Sequence, residues 1–145
     1  MEIREMTFHD LPFFNSVRSQ SYEYLHDKTN YTIEQNIEWF IKTSPKFFIV
    51  TKDNTNIGYF RTSEWTDNTL MVGMDIATKY RGFGYAQEAY PLFISYLKTR
   101  NIDTIYLEVL DDNIRAKHIY DKLGFVVIDT NPHLETTTIK MKLEI

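Results

Sequence analysis

The chain contains no cysteine, which removes disulfide staples, thiolate metal ligands and a cysteine nucleophile together and fits a reducing compartment such as the cytoplasm. Five glycines and four prolines in 145 residues are too few for a linker or a low-complexity segment, and no internal repeat is visible. A single domain over residues 1–145 is expected. No apolar run reaches the roughly 18 residues a membrane span needs, and the opening MEIREMTFHD lacks the basic and apolar regions of a secretory leader. No membrane partner is therefore expected. Positive charge is scarce as well: 16 Lys and Arg against 20 Asp and Glu give a formal charge of −4, without a basic cluster, which argues against nucleic acid as the main partner. Asn30-Tyr31-Thr32 spells a glycosylation sequon but lacks the secretory context that would make it one.

What the chain has is apolar material, 43% hydrophobic with ten tyrosines and ten phenylalanines, enough for one sizeable core. Ile3 to Met6 reads as a short strand. Thr7-Phe8-His9-Asp10 has the Thr-x-x-acid spacing of a helix cap, with Leu11, Phe14 and Val17 following at helical period. Thr32-Ile33-Glu34-Gln35 is a second capping box, ahead of a helix whose apolar face is Ile33, Ile37, Phe40 and Ile41 and which Pro45 stops. Phe47 to Thr51 and Ile57 to Thr62 flank the polar Asp53 to Asn56 as a hairpin, and Leu70 to Ala77 makes the next strand. The periods then alternate: helix over Tyr85 to Leu97, strand over Ile105 to Leu110, helix over Asn113 to Leu123 closed by Gly124, strand over Phe125 to Asp129, and a last strand over Thr136 to Ile145. This order predicts a mixed α/β chain of the α+β class.

The stretch from Arg81 to Ala86, RGFGYA, puts bare backbone where a strand gives way to a helix. A dinucleotide fingerprint would need a third glycine at position 87, which is Gln, and a P-loop would need Gly-Lys-Ser/Thr, which is absent. Two readings remain open on the residues alone. One is a tight strand-to-helix turn; the other is a nest of N–H groups that continues into the first helical turn and holds a diphosphate, with Lys79 and Arg81 adding positive charge.

A second constellation lies downstream. Arg81-Gly82-Phe83-Gly84-Tyr85-Ala86 resembles the Arg/Gln-x-x-Gly-x-Gly/Ala signature of the GNAT superfamily of acetyl-CoA-dependent N-acetyltransferases, and Asn113-x-x-Ala116-x-x-x-Tyr120-x-Lys122-x-Gly124-Phe125 resembles its second motif. The element order agrees over almost the whole chain. The resemblance implies a single-domain fold with a central mixed sheet of about seven strands, flanked by about four helices and splayed between the Leu70 to Ala77 and Ile105 to Leu110 strands. It also implies acetyl-CoA as donor, its pantetheine arm along the backbone of Ile76 and Ala77. Its diphosphate would lie on the amides of Arg81, Gly82, Phe83, Gly84, Tyr85 and Ala86, with Asn113 bonded to the pantetheine arm and Tyr120 near the sulfur.

Acetyl transfer to an amine needs the amine neutral, hence a base. Glu108 interrupts the apolar run Ile105 to Leu110 in a strand expected to be covered on both faces, where partial desolvation would raise its pKa toward neutrality. An ordinary carboxylate at the strand's open end is the alternative, and Asp75 and Glu64 are rival bases. Tyr120 takes the position of the family's general acid, with a packed aromatic as the alternative. His118 is expected to be solvated on another side of its helix from Tyr120. His9, His26 and His133 lack metal-ligand spacing, so no metal is expected. The expected partner is a small-molecule or peptide amine. A loose resemblance around the N-terminal helices favours a nucleotide-linked aminosugar, contacted by His26, Asp27, Tyr31 and Glu64 with Trp39 nearby, ahead of a protein N-terminal amine. A non-catalytic acyl-CoA-binding module and a longer-chain acyl transferase are the rival functions, and a homodimer is left open as the assembly.

Overall fold

The computed structural model describes residues 1–21, 30–132 and 136–145. Strand β1 (Glu2–Glu5) leads through a 3₁₀ turn (Phe8–Asp10) into helix α1 (Leu11–Gln20), and α2 (Ile33–Thr43) follows. Then come β2 (Phe48–Lys52), β3 (Thr55–Thr66), β4 (Thr69–Ile76), α3 (Tyr85–Thr99), β5 (Thr104–Leu110), α4 (Ile114–Leu123), β6 (Val126–Pro132) and β7 (Thr137–Glu144).

Both expected capping boxes start their segments. The Asp10 carboxylate accepts from the Thr7 N–H and, in a two-pronged pair at 2.8 Å each, from both Nη groups of Arg4. Gln35 and Thr32 exchange side-chain-to-backbone bonds at the start of α2. The apolar face of α2 differs from the expected one at Ile41, which is 69% exposed. The buried residue of this helix is Asn36, whose Nδ2 donates to Asn15 Oδ1 and so links α2 to α1. A polar pair thus takes a place that periodicity assigns to apolar side chains. Pro91 lies inside α3 and removes the N–H that would have bonded the Gln87 carbonyl.

The seven strands form one sheet in the order β1-β2-β3-β4-β5-β7-β6. Strand alternation sorts side chains onto two faces: Phe48, Val50 and Phe60 join the core under α3 and α4, whereas Ile49 and Tyr59 join Leu11, Phe14 and Val17 of α1. Phe93 of α3 is fully buried and stacks on Phe60 with centroids 4.2 Å apart. Truncating such a ring to alanine costs about 3–5 kcal/mol.

Every neighbouring pair is antiparallel except β4 with β5, which is parallel and joined by only Thr69↔Thr104, Leu70↔Ile105 and Met71↔Tyr106. Beyond Met71 the two strands part, at the place expected for the splay.

Candidate active site

A cavity of about 420 Å³ occupies the gap where β4 and β5 diverge, within the size range of small-molecule sites. The Ala77 N–H donates to Ile57 O at 2.9 Å, and Gly58 faces Ile76 in register. By the alternation of an antiparallel ladder, the backbone groups of Ile76 and Met74 therefore point into the gap. This corrects the expectation for Ala77, which is 5% exposed, bonded into β3 and not among the lining residues. Met74 lines the gap in its place.

The loop between β4 and α3 carries two left-handed glycines, Gly82 at φ 87° and Gly84 at φ 79°. The first internal bond of α3 runs from Glu88 N to Gly84 O, so the amides of Tyr85, Ala86 and Gln87 have no carbonyl four residues back to bind. A Cβ on Gly84 would meet nothing within 4 Å, so backbone conformation and not crowding calls for glycine there. Arg81 lines the cavity, but its guanidinium is turned toward the protein: Nε donates to Ile76 O at 2.9 Å and Nη2 to Ser21 Oγ at 3.1 Å. It ties the end of β4 to the end of α1, in place of the expected charge aimed at the loop. Phe83 is 67% exposed, stacks on Tyr85 and lies off the cavity, because the turn at Gly82 and Gly84 points it outward. Arg115, from the first turn of α4, faces the loop and lines the cavity, with Nη2 3.4 Å from where a Gly82 Cβ would be. Sequence reasoning missed it, since only the packing of α4 beside the loop brings the two together.

On the opposite wall, Asn113 caps α4 by accepting from Ala116 N at 3.3 Å, and Gly124 closes the helix at φ 98°. Tyr120 is 9% exposed and meets Tyr90 edge-on at 5.9 Å. Burial raises the Tyr120 pKa, with the Tyr90 hydroxyl and the Arg61 charge pulling the other way. Tyr120 is therefore a protonated donor at neutral pH. His118 is exposed, as expected, yet it lines the same cavity as Tyr120.

The polar floor comes from β3 and β4. Arg61 reaches across β4 so that Nε lies 3.0 Å from Asp75 Oδ2. The two atoms are close enough for an ion pair, but they are not aligned as a hydrogen bond. Burial lowers the Arg61 pKa, and the Asp75 carboxylate and nearby tyrosines outweigh it, leaving a net upward shift. Asp75 is buried, whereas Glu108 is exposed. This corrects the expected desolvation of Glu108: β5 is covered on the face of Ile105, Leu107 and Val109, while Tyr106 and Glu108 lie on the open one. Both carboxylates line the cavity.

Glu64 stands apart, exposed at a bulge near the β3–β4 turn, which is the closed end of the gap. Tyr31 lies under the Arg18 guanidinium, 4.7 Å from its ring centre, and does not line the cavity. His26 and Asp27 fall outside the described residues. Among the described residues there is no cluster of groups able to hold a metal ion and no helix long and apolar enough to cross a membrane.

Known proteins resemble this chain in sequence or in fold. An alanine N-acetyltransferase of ribosomal protein bS18 from Haemophilus influenzae is 28% identical over 78 residues, 54% of this chain and 53% of that protein. The chain spans about half or less of the length of the curated relatives it matches. A spermidine N-acetyltransferase variant from Vibrio cholerae superposes with a TM-score of 0.87 at 20% identity, over 99% of this chain and 95% of the other. A protein from Salmonella typhimurium, solved with acetyl-CoA as its cofactor, superposes with a TM-score of 0.83 at 12% identity, over 99% and 93%. Residues 11–125 match the Acetyltransferase (GNAT) family, and with its signature loop, splayed sheet and second motif in place the chain belongs to that family.

Proposed function

We propose that the chain transfers the acetyl group of acetyl-CoA to a primary amine. The observation that carries this reading is the gap itself, with unpartnered amides at its α3 end, strand backbone along one side and a buried, protonated Tyr120 on the other. Those features suit the donor: the amides from Gly82 to Gln87 would hold the diphosphate, with Arg115 adding charge, and Met74 and Ile76 would orient the arm by backbone bonds. Acetyl-CoA when bound supplies a thioester, an acyl carbon open to attack and a thiolate leaving group.

Tyr120 holds a proton at its Oη and gives it to the departing sulfur. The acceptor arrives as an ammonium with a pKa near 10.4 if it resembles a lysine side chain, so a proton must leave it. Glu108, exposed at the cavity and free of a salt bridge among the described residues, takes that proton directly or through water. One C–N bond forms and one C–S bond breaks; the ammonium nitrogen loses two protons, the first to Glu108 and the second, after attack, to the Tyr120 oxygen that has protonated the sulfur, so one proton is released overall.

A compact amine suits the acceptor side better than a nucleotide-linked aminosugar. Trp39, the aromatic expected near such a sugar, is itself stacked on Phe14 at 5.4 Å and packed on Phe47, so it serves the core. The bS18 alanine and spermidine enzymes among the relatives widen the field to α-amines and polyamines. Incubation with acetyl-CoA and a panel of amines, read by release of free thiol, tests the proposal. Turnover of at least one amine is expected. Acetyl-CoA binding without transfer to any of them would favour the non-catalytic module, and no binding would end the proposal.

A further inference from the structure

Arg61 has no part in the transfer chemistry above, yet β4 is built around it. A Cβ on Gly73, the cross-strand partner of Arg61, would stand 2.5 Å from Nη2, 2.6 Å from Cζ and 3.0 Å from Nη1. The guanidinium therefore lies flat over the backbone of β4, where any side chain would displace it, and reaches the edge of the gap. A guanidinium carries five N–H donors. Among the described residues, Asp75 is its one ionic partner, and the Nε atom is buried without an aligned acceptor. The side chain is 39% exposed and lines the cavity. A charged donor group thus stands at the cavity with one ion-pair partner among the described residues and Nε without an aligned acceptor.

The sign of the charge is informative. A site meant only for a simple amine would present carboxylates alone, because a guanidinium beside the reacting nitrogen repels an ammonium and costs affinity. Here Arg61, paired with Asp75 on one side of the gap, adds a cation to the two carboxylates, Asp75 and Glu108, that line it. Planar two-pronged recognition of a carboxylate is what a guanidinium does best. We infer that Arg61 anchors a carboxylate on the acceptor, so that the preferred acceptor is a free α-amino acid, its amine toward Glu108 and its carboxylate on the guanidinium. The inference rests on the amine-acetyltransferase reading and narrows it.

The test uses matched acceptors: phenylalanine, its amide and phenethylamine, with alanine, alaninamide and ethylamine as a smaller set. Wild type is expected to favour each free acid by about tenfold to a hundredfold in kcat/KM, the range for a site left with an unpaired charged donor. Arg61→Lys should keep part of that preference. Arg61→Gln combined with Asp75→Asn, which avoids stranding a buried carboxylate, should bring the acid and its amide to near parity. Titration of the acid and the amide into CoA-loaded wild type should show the same preference without turnover. Equal use of acid and decarboxylated amine by wild type, or a preference that survives in the folded double variant, overturns the inference while leaving acetyl transfer standing. Acetyl-CoA binding with no transfer to any acceptor overturns acetyl transfer itself, and this inference with it.

Discussion

Gly73 and Arg61 face each other across β3 and β4, and the guanidinium fills the space that a Gly73 side chain would need. The nearest atoms to an added methyl all belong to the flexible end of Arg61, with no backbone among them. Gly73→Ala is therefore expected to fold with a loss of about 1 kcal/mol, a melting shift of about 2–6 °C, as the arginine swings aside. Its acceptor KM should rise about tenfold with acetyl-CoA affinity unchanged. Thermal melts and steady-state kinetics check both halves, and an unchanged KM would mean that the position of Arg61 does not matter to the acceptor.

The loop makes a separate prediction. Gly84→Ala meets no neighbour, so its cost is the left-handed backbone, about 1–2 kcal/mol. Ala86→Glu sets a carboxylate at the start of α3, where the donor's diphosphate is to lie. Both variants should fold, and isothermal titration should show acetyl-CoA affinity reduced at least tenfold for Ala86→Glu and less for Gly84→Ala. Wild-type affinity in folded Ala86→Glu would remove the loop from the donor site.

Tyr120 and Glu108 act on opposite protons of one step, so their variants should differ with pH. Tyr120→Phe should leave acetyl-CoA affinity near wild type and cut turnover by about ten- to a thousandfold. Glu108→Gln should lower kcat/KM most at low pH, with recovery as pH approaches the amine's own pKa. A loss by the same factor at every pH would give Glu108 a positioning role and move the search for the base to Asp75.

Alkaline stability depends on three buried tyrosines. Burial is the first cause of the upward pKa shifts of Tyr59, Tyr90 and Tyr120 from an ordinary value of 10.0. Above about pH 10 the unfolded chain gives up these protons while the fold keeps them, so their contribution is whole below that pH and is lost as pH rises through the folded values. Urea midpoints should hold level from neutral pH to about 9.5 and then fall. Tyr90→Phe removes a hydroxyl that lies near Tyr120 but has no aligned partner among the described residues, and should flatten the fall while costing about 1 kcal/mol or less at pH 7. A decline as steep as wild type would mean that Tyr90 has no share in it.

Much of this was legible in the sequence because local rules govern it. Capping at Thr32 and Gln35, the period of Tyr90, Phe93 and Leu97, and the glycines at 82, 84 and 124 each follow from short-range sterics or hydrogen bonding. Misses occurred where distant segments meet. Nothing near Arg81 in the chain shows that Ser21 will take its guanidinium, and nothing near Glu108 shows that its side chain will stay exposed between buried neighbours on β5. Arg61 was passed over for the same reason: its meaning lies in a glycine 12 positions away that register places beside it. Ile41 is a different case, an apolar residue at the expected period that the fold leaves exposed, while the buried position of the helix goes to Asn36, bonded to Asn15.

Because the parallel ladder stops at Met71 and Tyr106, the sheet works as a pair of tongs, a four-strand jaw and a three-strand jaw riveted at one tip. The inner edges, with Met74 and Ile76 on one jaw and Val109 and Leu110 on the other, are sheet interior by position and sheet edge by bonding. A molecule bonded to both edges would complete the ladder and so double as a structural member. The stability of the protein would then follow its load, rising by mass action in proportion to the logarithm of cargo concentration over its dissociation constant.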